Sequence, residues 1–258
     1  MDRKKLGKKP NIIAIASFNG GGGKSTSSIM FSLILSKTNK VLLIDLDPQN
    51  AITSYFITKN HFRAINIYNS YSLIKAEKIF RDVVVNISEN LDFIPSYVTL
   101  AKFTKEADQF KELMLRNALR DYLEDYDYVI IDTSPGLSSE LDNALVIADR
   151  VVIPILPARW SVEGLPVIIQ HIKKLENNFM GENSKIIHIF ASQFEVGRIA
   201  STKIMALLKE KYLNEFIGKV HKSEALKRLI DYSLEPKEKE NYYKEYLTIL
   251  EKMMNFSQ

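Results

Sequence analysis

The residues Asn19-Gly-Gly-Gly-Gly-Lys-Ser-Thr26 set four glycines beside an amine and two hydroxyls. Glycines let consecutive backbone N–H groups curl around an anion, a lysine adds a full positive charge, and a serine hydroxyl is a hard ligand for a divalent cation. Two further segments, Lys40-Val-Leu-Leu-Ile-Asp-Leu-Asp-Pro-Gln49 and Tyr128-Val-Ile-Ile-Asp-Thr-Ser-Pro-Gly136, each run an apolar stretch into carboxylates. Asp45 and Asp47 stand two apart, so an extended chain points both to one side, where like charges repel unless a cation or hydrogen bonds hold them. Taken alone, each aspartate also suits a helix cap, and a run of glycines also suits a flexible turn. Together they make a coherent site for phosphate and metal.

Positioning such groups requires strands that end at a common edge. Short apolar runs at Ile12–Ala16, Val41–Asp45, Leu91–Ile94, Tyr128–Asp132, Arg150–Ile155 and Lys185–Ala191 lack polar alternation, as strands covered on both faces do. Between them, Thr26–Ser36, Ala101–Leu123 and Val162–Glu176 have helical periodicity. This order predicts an α/β fold of P-loop NTPase type: a mostly parallel twisted sheet with helices on both faces and ligands at the carboxyl ends of the strands. The 258 residues are expected to form one domain, with a basic tail over residues 1–10 and a C-terminal helix over 237–258. The stretch from Thr58 to Val85 gives no clear pattern.

The strand, loop and helix around Gly20–Thr26 follow the order of a phosphate loop. Lys24 is expected to reach the β- and γ-phosphates of a nucleotide, Ser25 to ligate Mg²⁺, and Ile29, Met30, Leu33 and Ile34 to face the sheet. The common pattern would place glycine where Phe18 stands. The loop instead fits the deviant form K-G-G-x-G-K-[ST]-T, with Asn19 in place of the first lysine.

Composition narrows the classes. There are no cysteines, which excludes disulfide frameworks and thiolate metal sites. The basic N-terminus has no apolar stretch resembling a signal peptide, and no apolar run is long enough to span a bilayer, so a cytoplasmic protein is expected. The net charge of +4 is unevenly spread. Basic side chains gather in residues 1–10 and 198–228, a distribution that suits a polyanion such as nucleic acid and equally a set of solvated helix faces. The histidines have no metal-ligand spacing, and Trp160, Tyr242, Tyr243 and Tyr246 are expected to pack rather than stack on bases.

These motifs resemble those of the deviant-Walker ATPases of the ParA and MinD superfamily, and most of all ParA-type plasmid partition proteins of the spirochaetal kind. The likeness covers most of the chain, through Gly20–Thr26, Val41-Leu-Leu-Ile-Asp-Leu-Asp-Pro-Gln49, Ile94-Pro-Ser96, Val129-Ile-Ile-Asp-Thr-Ser-Pro135, Val152-Ile-Pro-Ile-Leu-Pro157 and Glu163-Gly-Leu165. It implies ATP and Mg²⁺ as ligands, an ATP-sandwich dimer that binds DNA nonspecifically at the nucleoid, and a ParB-like partner that stimulates hydrolysis. Residue by residue, it implies that Asn19, Gly20, Gly21, Gly22, Gly23, Lys24, Ser25 and Thr26 hold the nucleotide. Asp47 would position or activate the attacking water, with Ser25, Asp45 and Asp132 around the metal. Arg198, ahead of a helix starting near Ser201, is similar to a family arginine that contacts DNA; Lys203, Lys222 and Arg228 are further candidates, although the family's proline-containing segment near the last two is not reproduced.

Asn19 is the departure, since the family's signature lysine there reaches a partner's phosphates. An arginine finger in trans, a related device, is worth roughly 10³–10⁵ in rate, so its loss leaves binding intact and puts hydrolysis in question. Gly22, where the family has a bulkier residue, is expected to loosen the loop. Three readings follow: a partition ATPase with compromised hydrolysis, a non-hydrolysing switch acting as a homodimer or as a mixed dimer with a lysine-bearing paralogue, and a MinD-like membrane ATPase. The last needs a basic amphipathic C-terminal helix, whereas Lys237–Phe256 carries four lysines against four glutamates.

Overall fold

The computed structural model describes residues 9–58, 64–179 and 185–255. Among these residues eight strands, β1 Asn11–Ile15, β2 Val41–Leu46, β3 Val85–Ser88, β4 Leu91–Ile94, β5 Tyr128–Thr133, β6 Arg150–Ile155, β7 Ile186–Phe194 and β8 Phe216–His221, form one sheet in the order β3-β4-β2-β5-β1-β6-β7-β8. Every neighbouring pair is parallel except β3 with β4. The helices are α1 Lys24–Leu35, α2 Ala51–Ile57, α3 Ser70–Ile74, α4 Phe80–Val83, α5 Met114–Leu119, α6 Ser139–Ile147, α7 Arg159–Glu163, α8 Leu165–Phe179, α9 Ile199–Lys211, α10 Glu224–Asp231 and α11 Asn241–Asn255. This is the P-loop α/β architecture that the sequence predicts.

Alternation along the strands builds a core on each face. Leu42, Ile44, Val129, Ile131, Val151 and Ile153 pack with α6 and α8 on one side. Val41, Leu43, Ile130, Val152 and Phe190 pack with α1, α2 and α11 on the other. On that second face Ile29, Met30 and Phe31 are fully buried, while Leu33, expected to face the sheet, is only partly so. Tyr246 sets its ring edge against Phe31, at 5.7 Å between centroids.

Two strands escape a reading by apolar runs. β3 alternates half-buried and exposed residues at the sheet's edge, and β8 carries Gly218 and Lys219, the composition of an edge strand. The helix predicted over Ala101–Leu123 is broken into 3₁₀ turns at Val98–Lys105 and Lys111–Leu113 before α5. Tertiary contacts override its periodicity: Asp108 is drawn to Lys75, and the Asn143 Oδ1 accepts from the Leu115 N–H at 2.8 Å. The helix predicted over Val162–Glu176 breaks at Gly164, where a Cβ would lie 2.8 Å from the Phe18 ring.

Of the basic N-terminal tail only Lys9 and Pro10 are described, and Lys9 pairs with Asp149; residues 1–8 and 256–258 lie outside the described residues. α11 buries Tyr242, Tyr243, Tyr246, Ile249, Leu250 and Met253, so its apolar stripe is covered by the core. Among the described residues no helix is long and apolar enough to cross a membrane.

Candidate active site at the phosphate loop

Parallel pairing carries β1, β2, β5, β6 and β7 to one edge of the sheet, where the candidate residues gather. From β1 the chain passes through Ser17 and Phe18 into the glycine loop, and α1 begins at Lys24. Gly21 (φ 77°) and Gly23 (φ 83°) adopt the left-handed region that only glycine enters freely. The end of β7 pins the loop from outside: the Ser192 hydroxyl donates to the Gly22 carbonyl at 2.7 Å and the Gln193 amide to the Gly21 carbonyl at 3.0 Å. In a trans peptide the N–H points opposite its C=O, so these bonds turn the next amides to the other side, toward the mouth of the loop. Among the described residues no side chain caps the first turn of α1, which leaves its amides and dipole for an anion. A Cβ at Gly20 or Gly21 would meet nothing within 4 Å, so the cradle has room for a ligand.

Gly22 corrects an expectation. A Cβ there would lie 2.9 Å from the Pro154 carbonyl oxygen. Glycine at this point lets the loop approach β6 closely, which packs the loop rather than loosening it.

Lys24 is buried, its ammonium donating to the Ser17 hydroxyl at 2.8 Å, and among the described residues it makes no ion pair. Burial depresses its pKa, opposed by the fields of Asp132 and Asp47. Asp132, register partner of Asp45 across β5 and β2, is fully buried and accepts from the Ser25 hydroxyl at 2.7 Å and the Ser28 hydroxyl at 2.9 Å. Burial pushes its carboxyl up to about 6, although those hydroxyls and Lys24 favour the charged form. Ser25 and Asp132 thus present oxygens that suit a hard divalent cation beside the cradle.

Asp45, expected around the metal, has both oxygens engaged by its own chain: Oδ1 accepts from the Asp47 N–H, and Oδ2 accepts from the Thr53 N–H and hydroxyl, the latter at 2.8 Å. Burial and the neighbouring Asp132 push its carboxyl up to about 8. The strand does not persist to Asp47, which β2 leaves behind at Leu46; Asp45 anchors α2 through Thr53, while Asp47 lies close enough to Lys24 for its charge to favour the ammonium. The Asp47 carboxylate accepts from the Gln49 N–H at 2.9 Å, and its carbonyl accepts from the Ser96 hydroxyl at 2.8 Å. Thr26 lines a neighbouring cavity of about 220 Å³, walled by Gly23, Ser192, Gln193, His221 and Lys222.

Asn19 does not reach outward. Its amide donates to the Trp160 carbonyl of α7 at 2.9 Å, tying the loop's first residue to its own chain. The Phe18 ring closes against Gly164 in the same turn. Ser17, Ser28, Thr53, Ser192 and Gln193 belong to the site although the sequence reading omits them. Ser28 had a signal, a hydroxyl one helical turn beyond Ser25 on the face occupied by Ile29 and Phe31. Ser192 and Gln193 had only the general rule that strand ends at this edge meet ligand.

The basic candidates are exposed. Arg198 and Lys222 converge on Glu195, at 3.6 and 3.2 Å, although 24 positions of sequence separate them. Lys203 lies exposed on α9 and Arg228 on α10, outside that cluster.

A family model described as AAA domain matches residues 10–188. A virulence plasmid ParA family protein of Chlamydia psittaci is 31% identical over 214 residues, 74% of this chain and 79% of that protein. The sporulation initiation inhibitor protein Soj of Bacillus subtilis is 33% identical over 171 residues, 65% of this chain and 66% of its own length. Among solved structures, a chain from Borrelia burgdorferi B31 described as a plasmid partition protein, bound to AMPPNP, superposes with a TM-score of 0.88 at 37% identity, covering 95% of this chain and 99% of the other.

Proposed function

The chain belongs to the ParA family of AAA-domain ATPases, and from that premise we propose that it is a partition-type switch that binds Mg-ATP, pairs two copies across the nucleotide and then holds DNA nonspecifically. Support comes above all from Lys24, a buried ammonium with only a hydroxyl for partner, set beneath glycine amides that have no cap. Burial disfavours that charge, and the fields of Asp132 and Asp47 offset the cost only in part; a bound phosphate supplies a counter-charge in direct contact. The AMPPNP bound by the Borrelia chain agrees in chemical class.

In this reading Lys24 leaves the Ser17 hydroxyl for the terminal phosphates, and the loop amides take the remaining oxygens. Magnesium, when bound, neutralises phosphate charge. Ser25 would hold the metal through its hydroxyl, and Asp132, kept in place by Ser28, would support that shell. Asp47, beside Lys24, orients the attacking water. The cavity beside Gly23 and Thr26 takes the base, with Gln193 and the His221–Lys222 turn along its wall. Arg198, Lys203, Lys222 and Arg228 offer a sequence-independent basic surface to phosphates, and a ParB-like protein is the partner by kinship.

Hydrolysis is expected to be slow. Asn19 carries no charge and spends its amide on Trp160, so nothing at that position reaches across to a second nucleotide. That bond favours a second reading, in which the protein only binds and releases ATP, or borrows a lysine from a paralogue in a mixed dimer.

Gel shift with a long duplex tests the first reading. Binding should need AMPPNP and Mg²⁺, fall steeply with salt, and weaken in Arg198→Ala; a shift indifferent to nucleotide contradicts it. Phosphate release by the protein and by Asn19→Lys separates the two readings. Robust turnover by the native chain removes the binding-only switch, and no gain in Asn19→Lys shows that another group limits the rate.

A further inference from the structure

At the sheet's outer edge a groove of about 670 Å³ runs between α9, β8 and α11. The half-buried Phe216 and Leu213, 77% exposed, give it apolar surface above the buried Met205, Ile217 and Ile249. Gly218 holds the wall close, since a Cβ there would lie 2.9 Å from the Ile249 Cδ1. Lys209, Lys219, Lys244 and Lys252 complete the lining, all exposed, and among the described residues none of them makes an ion pair. The groove's carboxylate, Glu245, is already occupied: it accepts the His221 backbone N–H at 2.9 Å and faces that residue's imidazole.

An apolar floor beneath four unbalanced ammonium groups is amphipathic in a particular sense. It fits a ligand with apolar groups on one side and negative charge toward the rim. Among the described residues β8 is the terminal strand of the sheet, and its residues Phe216, Ile217, Gly218 and Lys219 line the groove. An extended peptide sends alternate side chains to opposite sides, and strand addition at a sheet edge is a general mode of peptide recognition. A volume of this size holds a short peptide stretch and not a globular surface. Duplex DNA matches the lysines but offers no apolar group for Leu213 and Phe216.

We propose that this groove docks an extended acidic segment of a partner protein, its alternate apolar side chains on the floor and its carboxylates against Lys209, Lys219, Lys244 and Lys252. The site goes beyond the nucleotide switch. It gives the chain a protein-binding surface whose lining includes neither Arg198 nor Lys222.

The test uses the full chain and a fluorescein-labelled peptide of alternating glutamate and leucine, followed by anisotropy, with a lysine–leucine peptide as control. The acidic peptide should bind and the basic one should not. Lys219→Glu with Lys244→Glu should weaken binding by about tenfold or more, and Leu213→Asp should weaken it through the apolar half. Because these side chains are exposed, melting temperature and AMPPNP affinity should be unchanged; should the double variant fail to fold, Lys244→Ala with Lys252→Ala replaces it. The proposal is overturned if both peptides bind alike or if charge reversal leaves the acidic peptide's affinity intact. It is also overturned if duplex DNA displaces the peptide and loses its own affinity in the same variant, which makes the groove part of the DNA surface.

Discussion

At the scale of single residues, the site is a set of charges whose hydrogen bonds are arranged for exchange. Lys24 sits on a neutral hydroxyl, and Ser25 donates to a carboxylate whose other oxygen is held by Ser28. Both can turn to a ligand without breaking the loop. Asp47 keeps its place through backbone bonds, with its carboxylate accepting from Gln49. A residue that orients water and touches no phosphate should matter to turnover and not to affinity. Asp47→Asn is therefore expected to lower any DNA-stimulated phosphate release by roughly 10²–10⁴-fold with AMPPNP affinity little changed, as read by calorimetry; a parallel loss of affinity would instead make Asp47 part of the binding cradle. Residue types exposed most of this arrangement to a reading of sequence alone, because Gly, Lys, Ser and Asp at these spacings suit one ligand. The role of Asp45 was not legible there: two aspartates flanking a leucine look alike until α2 claims one of them through Thr53.

At the scale of elements, the glycine loop is shaped as much by β6 and β7 as by its own glycines. Ser192 and Gln193 hold its carbonyls, and Pro154 presses on Gly22. Gly22→Ala should thus cost about 1–3 kcal/mol by overpacking, lowering the melting temperature and the nucleotide affinity together; an unchanged or more stable variant would mean that the loop shifts freely. The six apolar strands were readable because burial on both faces leaves a continuous apolar run. β3 and β8 were not, since edge strands keep polar residues and glycine. The break at Gly164 was likewise hidden, because its cause is Phe18, far away in sequence.

For the whole molecule, one sheet divides two cores, and its stability should depend on pH through groups that the cores enclose. His188, on β7 opposite Val152 of β6, is 1% exposed. Burial and the nearby Arg150 guanidinium push its imidazole down to about 4 from 6.5. Below pH 6.5 the unfolded chain takes up a proton that the folded chain refuses until about pH 4, so stability falls as pH drops through that window. The loss is at most about 3 kcal/mol. Urea unfolding at pH 7 and pH 5 should show a larger acid loss for the native chain than for His188→Asn; equal losses would show that the histidine is not the source.

The central claim is that the loop from Asn19 to Thr26 binds nucleotide phosphates through Lys24. Calorimetric titration of the native chain and of Lys24→Ala with AMPPNP and Mg²⁺, with melting curves to verify folding, tests it most directly. The native chain should take up one nucleotide, and the folded variant should bind roughly 10- to 100-fold more weakly through loss of a charged hydrogen bond. Equal affinity in the two proteins, or no binding by the native chain, would contradict the account.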